Sequence, residues 1–215
     1  MTESSNMLSE FESLFETEIS KIVVEDDPAH DLLHFKRVVK LARELAKTEK
    51  AQLEVVIPAA WLHDYVVIAK NDPRRAEASK LSAIEARRFL TSIEYPTQSI
   101  EGIAHAIESH SFSANIEVKT VEAAVVQDAD RLDGLGAIGI ARCFTVGGQL
   151  KRPFYEAADP FCAKRQPEDA VYTIDHFYKK LFKTAATMKT NAGKVEAEKR
   201  LRFMDSFINQ LQSEI

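Results

Sequence analysis

At 215 residues, 45% of them hydrophobic and 28% charged, the chain has a globular composition with enough apolar material for a real core. Its formal net charge of −5 removes any global electrostatic case for binding a nucleic-acid polymer, and its two cysteines, Cys143 and Cys162, lack paired spacing and fit a reducing compartment better than a disulfide scaffold. The start MTESSNMLSEFESLF is too acidic for a signal peptide and no apolar run approaches the roughly 18 residues of a membrane span, so a cytoplasmic protein is expected.

Helical periodicity dominates the chain. Leu8, Phe11, Leu14, Phe15, Ile19 and Ile22 trace one face of a first helix. Asp27 and Pro28 read as cap and first turn of a second, which continues through Leu33, Val38, Leu41 and Leu45 to about Lys47. A third is expected from about Leu53 to Ile68, followed by the polar, basic connection KNDPRRAEASK. Ala83, Ala86, Phe89 and Leu90 mark a fourth helix, ending before Tyr95-Pro96. A fifth covers about Gln98 to Ser109 and a sixth about Lys119 to Leu132. GLGAIGIARCF then reads as a small-residue helix suited to close packing. Residues 147–169 carry Pro153, Pro160 and Pro167 with no clear period, as expected of a lid or binding loop. Two helices close the chain, about Ala170–Met188 and Gly193–Leu211. The expected architecture is a single all-α domain, a helical bundle over residues 1–215, with one long loop near its C-terminal third.

His34, the adjacent His63 and Asp64, and Asp130 stand among core-type residues on three of these helices. Burying unpaired charge costs several kcal/mol, so such groups need partners. Two neutral imidazoles and two carboxylates converging on a cation would satisfy one another, and the mixed N/O set suits Mn²⁺, Fe²⁺, Co²⁺, Ni²⁺ or Zn²⁺ better than Ca²⁺. Neighbours on a helix point about 100° apart, so His63 and Asp64 share one ion only if it lies off the helix edge between them. His30 and His34, four apart, offer a two-His edge. On spacing alone, a metal site and a set of structural polar groups are balanced alternatives.

The ordered set His34, His63-Asp64, Asp130 resembles the H…HD…D signature of the HD-domain metal-dependent phosphohydrolases. AHDLLHFKRV is similar to that family's first-helix motif and WLHD to its second. QDADRLDGLGAIGIAR (127–142) and the stretch 175–204 resemble a bacterial subgroup, the YedJ/YpgQ type. The likeness covers about Asp27 to Met204, with the signature region in 27–142 and the C-terminal helices in 170–213.

The resemblance implies an all-α HD domain holding one divalent metal ion (Mn favoured, then Mg, Co, Ni, Fe or Zn) through His34, His63, Asp64 and Asp130. Asp130 matches the Asp of an Ala-Asp-Arg-Leu-like run, although Asp128 competes for the role. Many family members carry an acidic residue three or four positions after the His-Asp pair; here Val67 and Ile68 stand there. Proton transfer is left to metal and solvent or to Glu108, His110 or Asp128, and with Asp64 the last two make up the expected catalytic set. His105 and His110, five apart, do not share a helical face cleanly, which favours one metal over two. Arg37, Lys70, Arg75, Arg131 and Arg142 are the expected phosphate-binding cations, with Arg74 and Lys80 in the same basic cluster; any one of them taken alone reads more readily as a solvated surface charge. The loop residues Arg152, Phe154, Tyr155, Lys164 and Arg165 suit a nucleotide cover, a homodimer contact or a disordered excursion.

The implied activity is hydrolysis of small phosphorylated substrates, nucleotides first, by pyrophosphate release from nucleoside triphosphates. A nucleotidase on the same site and a non-turning-over metal or nucleotide sensor are the alternatives. No membrane partner is expected.

Overall fold

The computed structural model describes residues 3–22, 31–68 and 72–215. Every regular element among them is helical, as expected, and none of those helices is long and apolar enough to cross a membrane. The chain divides into two compact units, residues 1–130 and 131–215.

In the first unit, α1 (Glu3–Ile22) buries Leu8, Phe15 and Ile19, whereas Leu14, expected on that face, is exposed. The next helix, α2 (Leu32–Glu49), is capped by Asp31, whose carboxylate accepts the His34 N–H at 2.8 Å. Asp27, Pro28 and His30 lie outside the described residues, so Asp31 replaces Asp27 as the observed cap. Leu33, expected in the apolar stripe, faces solvent. At the other end, Lys50 takes a left-handed conformation (φ 57°) and returns its N–H to the Ala46 carbonyl.

The centre of this unit is α3 (Leu53–Leu62), apolar on all sides and buried at every position from Val55 to Leu62. It packs on α1, α2 and α5 (Thr97–His110). Pro58 sits inside it and has no N–H for the Glu54 carbonyl one turn earlier. The buried Tyr95 hydroxyl donates to that carbonyl at 2.7 Å, which satisfies the group the proline strands.

The expected continuation of α3 to Ile68 does not occur. A helix extending onward would bond the Val66 N–H to the Leu62 carbonyl. Instead Val66 N–H donates to Ser82 Oγ at 3.0 Å, Leu62 O receives Tyr65 N–H, and Arg75 holds Ile68 O at 2.7 Å. A 3₁₀ turn (Pro73–Glu77), capped by Asp72, then leads into α4 (Ala78–Ser92), which packs against α5. The chain enters α6 (Val121–Asp133) after an irregular stretch, and the last three residues of that helix belong to the second unit.

In the second unit, the small-residue stretch begins α7 (Gly136–Gln149): a Cβ at Gly136 would lie 3.2 Å from Arg200 Cγ of the C-terminal helix, and one at Gly139 would lie 2.2 Å from the carbonyl oxygen of Gly134 in its own segment. Of the expected helix over 170–188, residues 175–185 are helical, passing through a π turn (Phe177–Leu181) into the short α8 (Phe182–Ala185), while both ends are turns and irregular chain. Before it, the long loop is folded rather than a disordered excursion. Asp159 accepts the backbone N–H groups of Ala163, Lys164 and Arg165. Arg165 forks onto the fully buried Asp175 through both terminal nitrogens, and Glu168 N–H adds a third bond at 2.6 Å. The chain closes with α9 (Asn191–Ser213), and Phe144, Phe154, Phe177 and Phe207 form an aromatic cluster.

Two stability outcomes follow from these contacts. Arg165→Met leaves the Asp175 carboxylate buried without its counter-charge and is expected to cost about 3–5 kcal/mol in urea unfolding; a cost within error of zero would contradict the assigned pairing. Asp31→Ala removes the α2 cap and is expected to cost about 1 kcal/mol by the same measurement.

Candidate metal centre

Four chain segments of the first unit bring ionisable groups together. The first turn of α2 supplies His34, which is buried. The chain emerging from α3 supplies His63 and Asp64, and α5 ends on the buried His110. The last turns of α6 supply the partly exposed Asp130. Because α3 stops at Leu62, the His-Asp pair occupies the turn that leaves the helix, with His63 still in helical angles (φ −59°, ψ −40°).

His34 Nε2 and His63 Nε2 are 3.2 Å apart. Asp130 Oδ1 lies 3.7 Å from the first and 3.8 Å from the second. A second grouping shares His63: Asp64 Oδ2 is 3.7 Å from His63 Nε2, while Asp64 Oδ1 is 3.5 Å from His110 Nε2. Within each grouping, the donor atoms all lie within 4.8 Å of one another.

The donor chemistry fits a divalent cation. His63 Nδ1–H donates to the Ala60 carbonyl at 2.9 Å and His110 Nδ1–H to the Ile107 carbonyl at 2.6 Å. Since a carbonyl can only accept, each neutral ring keeps its Nε2 lone pair for the cluster. Ligands about 2.1 Å from one ion stand roughly 3.0–3.4 Å apart at octahedral or tetrahedral angles. The observed 3.2–3.8 Å separations overlap that range and run slightly wider.

Burial lowers the pKa of His63 to about 4, against the opposing pull of the Asp64 charge. His110 shifts the other way: burial disfavours its proton, but its interaction with Asp64, and the charge of Asp130 beyond it, raise the pKa. One imidazole is thus held neutral as a ligand must be, and its neighbour favours a proton beside the same carboxylate.

The other expected site residues are distributed differently. Asp128 is fully buried and lies outside both groupings of donor atoms. The Glu108 carboxylate meets Arg87 Nη1 at 3.2 Å. His105 Nε2 accepts the Lys119 N–H at 3.1 Å and does not join the cluster. Arg37 is half-buried one turn after His34, and Lys70 lies outside the described residues. Arg131 donates to the Thr187 carbonyl and Arg142 to the buried Asp133. Arg74 pairs with Asp72 on the surface.

Sequence reasoning overlooked Gln127, whose Nε2 donates to the Ser109 carbonyl at 2.7 Å while its buried Oε1 has no partner among the described residues. It thereby holds the residue before His110, and its place in QDAD was the only signal. Tyr65, whose hydroxyl meets Glu18 at 2.6 Å, was also missed.

A folded-state His63 pKa near 4 lies below the ordinary 6.5, so the neutral ring contributes its full stability above pH 6.5 and loses it as the pH falls from 6.5 through 4. His110 has the opposite sign. In metal-free protein, NMR titration is expected to show the His63 ring titrating well below that of His110; coincident titrations would contradict the assigned environments.

The HD-domain family model matches residues 32–135. YpgQ of Bacillus subtilis is 31% identical over 203 residues, covering 93% of this chain and 91% of that protein. The crystal structure of an HD-superfamily hydrolase from Bacillus thuringiensis matches with a TM-score of 0.75 at 32% identity, covering 96% of this chain and 97% of the other. That of B. subtilis YpgQ in complex with ADP matches with a TM-score of 0.74 at 30% identity, covering 95% and 97%. With its His-Asp pair where α3 ends and likeness along nearly its whole length to these proteins, the chain belongs to the HD-domain superfamily, in the group that includes YpgQ.

Proposed function

We propose that the protein is a divalent-metal-dependent phosphohydrolase acting on small phosphorylated molecules, foremost nucleoside triphosphates, with release of pyrophosphate. The observation that carries this reading is the convergence of His34 Nε2, His63 Nε2 and Asp130 Oδ1, with Asp64 on the other side of the shared His63. Membership among HD-superfamily hydrolases supports hydrolysis, and the ADP bound to the related YpgQ supports a nucleotide as substrate.

His34, His63, Asp64 and Asp130 would hold one ion, manganese being favoured. When bound, the ion polarises a phosphoryl oxygen and lowers the pKa of water toward neutrality. The chain supplies the rest. The Nδ1–H bond to Ala60 fixes the tautomer of His63 and keeps its Nε2 aimed into the cluster. His110, with its raised pKa and its Nε2 facing Asp64, is the group best suited to take and return a proton, and Asp128 is the second candidate. Arg37, Lys70, Arg75, Arg131 and Arg142 are assigned to the substrate phosphates. Arg75, Arg131 and Arg142 also bridge protein oxygens, so removing them mixes a folding cost with any loss of phosphate binding.

A nucleotide panel assayed with Mn²⁺, Mg²⁺, Co²⁺ and Ni²⁺, with phosphate and pyrophosphate followed separately, tests this reading. The expected result is pyrophosphate from triphosphates, abolished by chelator and restored by Mn²⁺. Asp64→Ala is expected to lower kcat/KM by at least about 100-fold. Phosphate release from monophosphates would replace the reading with a nucleotidase. A metal-loaded protein inactive across the panel would replace it with a sensor, and activity surviving Asp64→Ala would remove the metal mechanism.

A further inference from the structure

Asp64 stands on the turn that ends α3, closed by the Tyr65 N–H donating to the Leu62 carbonyl at 3.2 Å. Behind it, α3 has ended at Leu62. Ahead of it, the chain is fixed by groups from elsewhere in the same unit. The Tyr65 hydroxyl reaches across to α1 and donates to Glu18 Oε1 at 2.6 Å, a short bond strengthened by the carboxylate charge. The fully buried Ser82 hydroxyl meets both polar groups of Val66, receiving its N–H at 3.0 Å and donating to its carbonyl at 3.4 Å.

The orientation of the Asp64 carboxylate matters because its two oxygens face different imidazoles. Oδ2 lies 3.7 Å from His63 Nε2 and Oδ1 lies 3.5 Å from His110 Nε2. A rotation of the turn that brings one oxygen closer to its ring carries the other away. The side chain directly after Asp64 is therefore the nearest lever on that orientation, and it is tied to a helix that precedes the 32–135 family match.

We infer that Tyr65 is a positioning residue for the metal centre: its bond to Glu18 on α1 sets the turn that presents Asp64 to the ion. The inference rests on the metal reading above. It differs from a purely structural role for the same contact, in which Tyr65 would only hold α1 in place. Other bonds already serve that purpose, since Glu12 on α1 accepts two bonds from Arg43 at 2.7 and 2.9 Å and one from Trp61 at 3.2 Å.

The test compares three full-length variants by Mn²⁺ affinity, measured by electron paramagnetic resonance on protein stripped of metal, alongside thermal unfolding. Tyr65→Phe removes the hydroxyl and keeps the ring; it is expected to weaken Mn²⁺ binding about tenfold, as loss of an outer partner of a ligand does. Arg43→Met breaks an α1 contact away from the turn and is expected to lower the unfolding temperature without changing Mn²⁺ affinity. Glu18→Gln retains an oxygen acceptor for the Tyr65 hydroxyl and is expected to bind Mn²⁺ more tightly than Tyr65→Phe. Unchanged affinity in Tyr65→Phe, or equal losses in Tyr65→Phe and Arg43→Met, would overturn the inference while leaving the metal reading standing. A wild-type protein with no Mn²⁺ affinity would overturn both.

Discussion

Gathering imidazole nitrogens and carboxylate oxygens inside a helical bundle removes each from water, and the carboxylates repel one another once there. A divalent ion reverses both effects, because each lone pair that is costly when buried alone becomes a ligand. Much of the first unit is arranged around that constraint. Asp31 caps α2 through the amide of His34, and the Ala60 carbonyl orients the ring of His63. Gln127 holds the carbonyl of Ser109, which adjoins His110. Tyr95 stabilises the proline-interrupted helix that delivers the His-Asp pair.

The fold class and most helices were legible because burying one face of a helix requires apolar residues at regular spacing, and α2, α4, α5 and α6 write that pattern plainly. The end of α3 was not legible. Tyr65-Val-Val-Ile is an apolar run that a helix accepts, and the bond that diverts Val66 comes from Ser82, sixteen residues away. The second unit hid its structure for the same reason. Its loop is organised by Arg165 and Asp175, ten residues apart with no local signature, so a charged and proline-rich stretch resembled unstructured chain.

The site was partly legible. The order His34, His63-Asp64, Asp130 carried a resemblance to the superfamily, but the residues that hold these side chains in place carried none. Asp128 and Asp130 looked like competitors in sequence; in three dimensions Asp130 stands beside His34 and His63, while Asp128 is buried outside the cluster. Val67 and Ile68 stand where an acidic helper would be, and the buried His110, supplied by a different helix, faces Asp64. Spacing within a single helix could not reveal that relationship.

The account depends on one divalent ion held by His34, His63, Asp64 and Asp130. Anomalous diffraction at the manganese edge from crystals of the Mn²⁺-loaded protein tests this directly. The account predicts a single anomalous peak bonded to those four side chains. A peak elsewhere on the protein, or none at this cluster in fully loaded crystals, would contradict it.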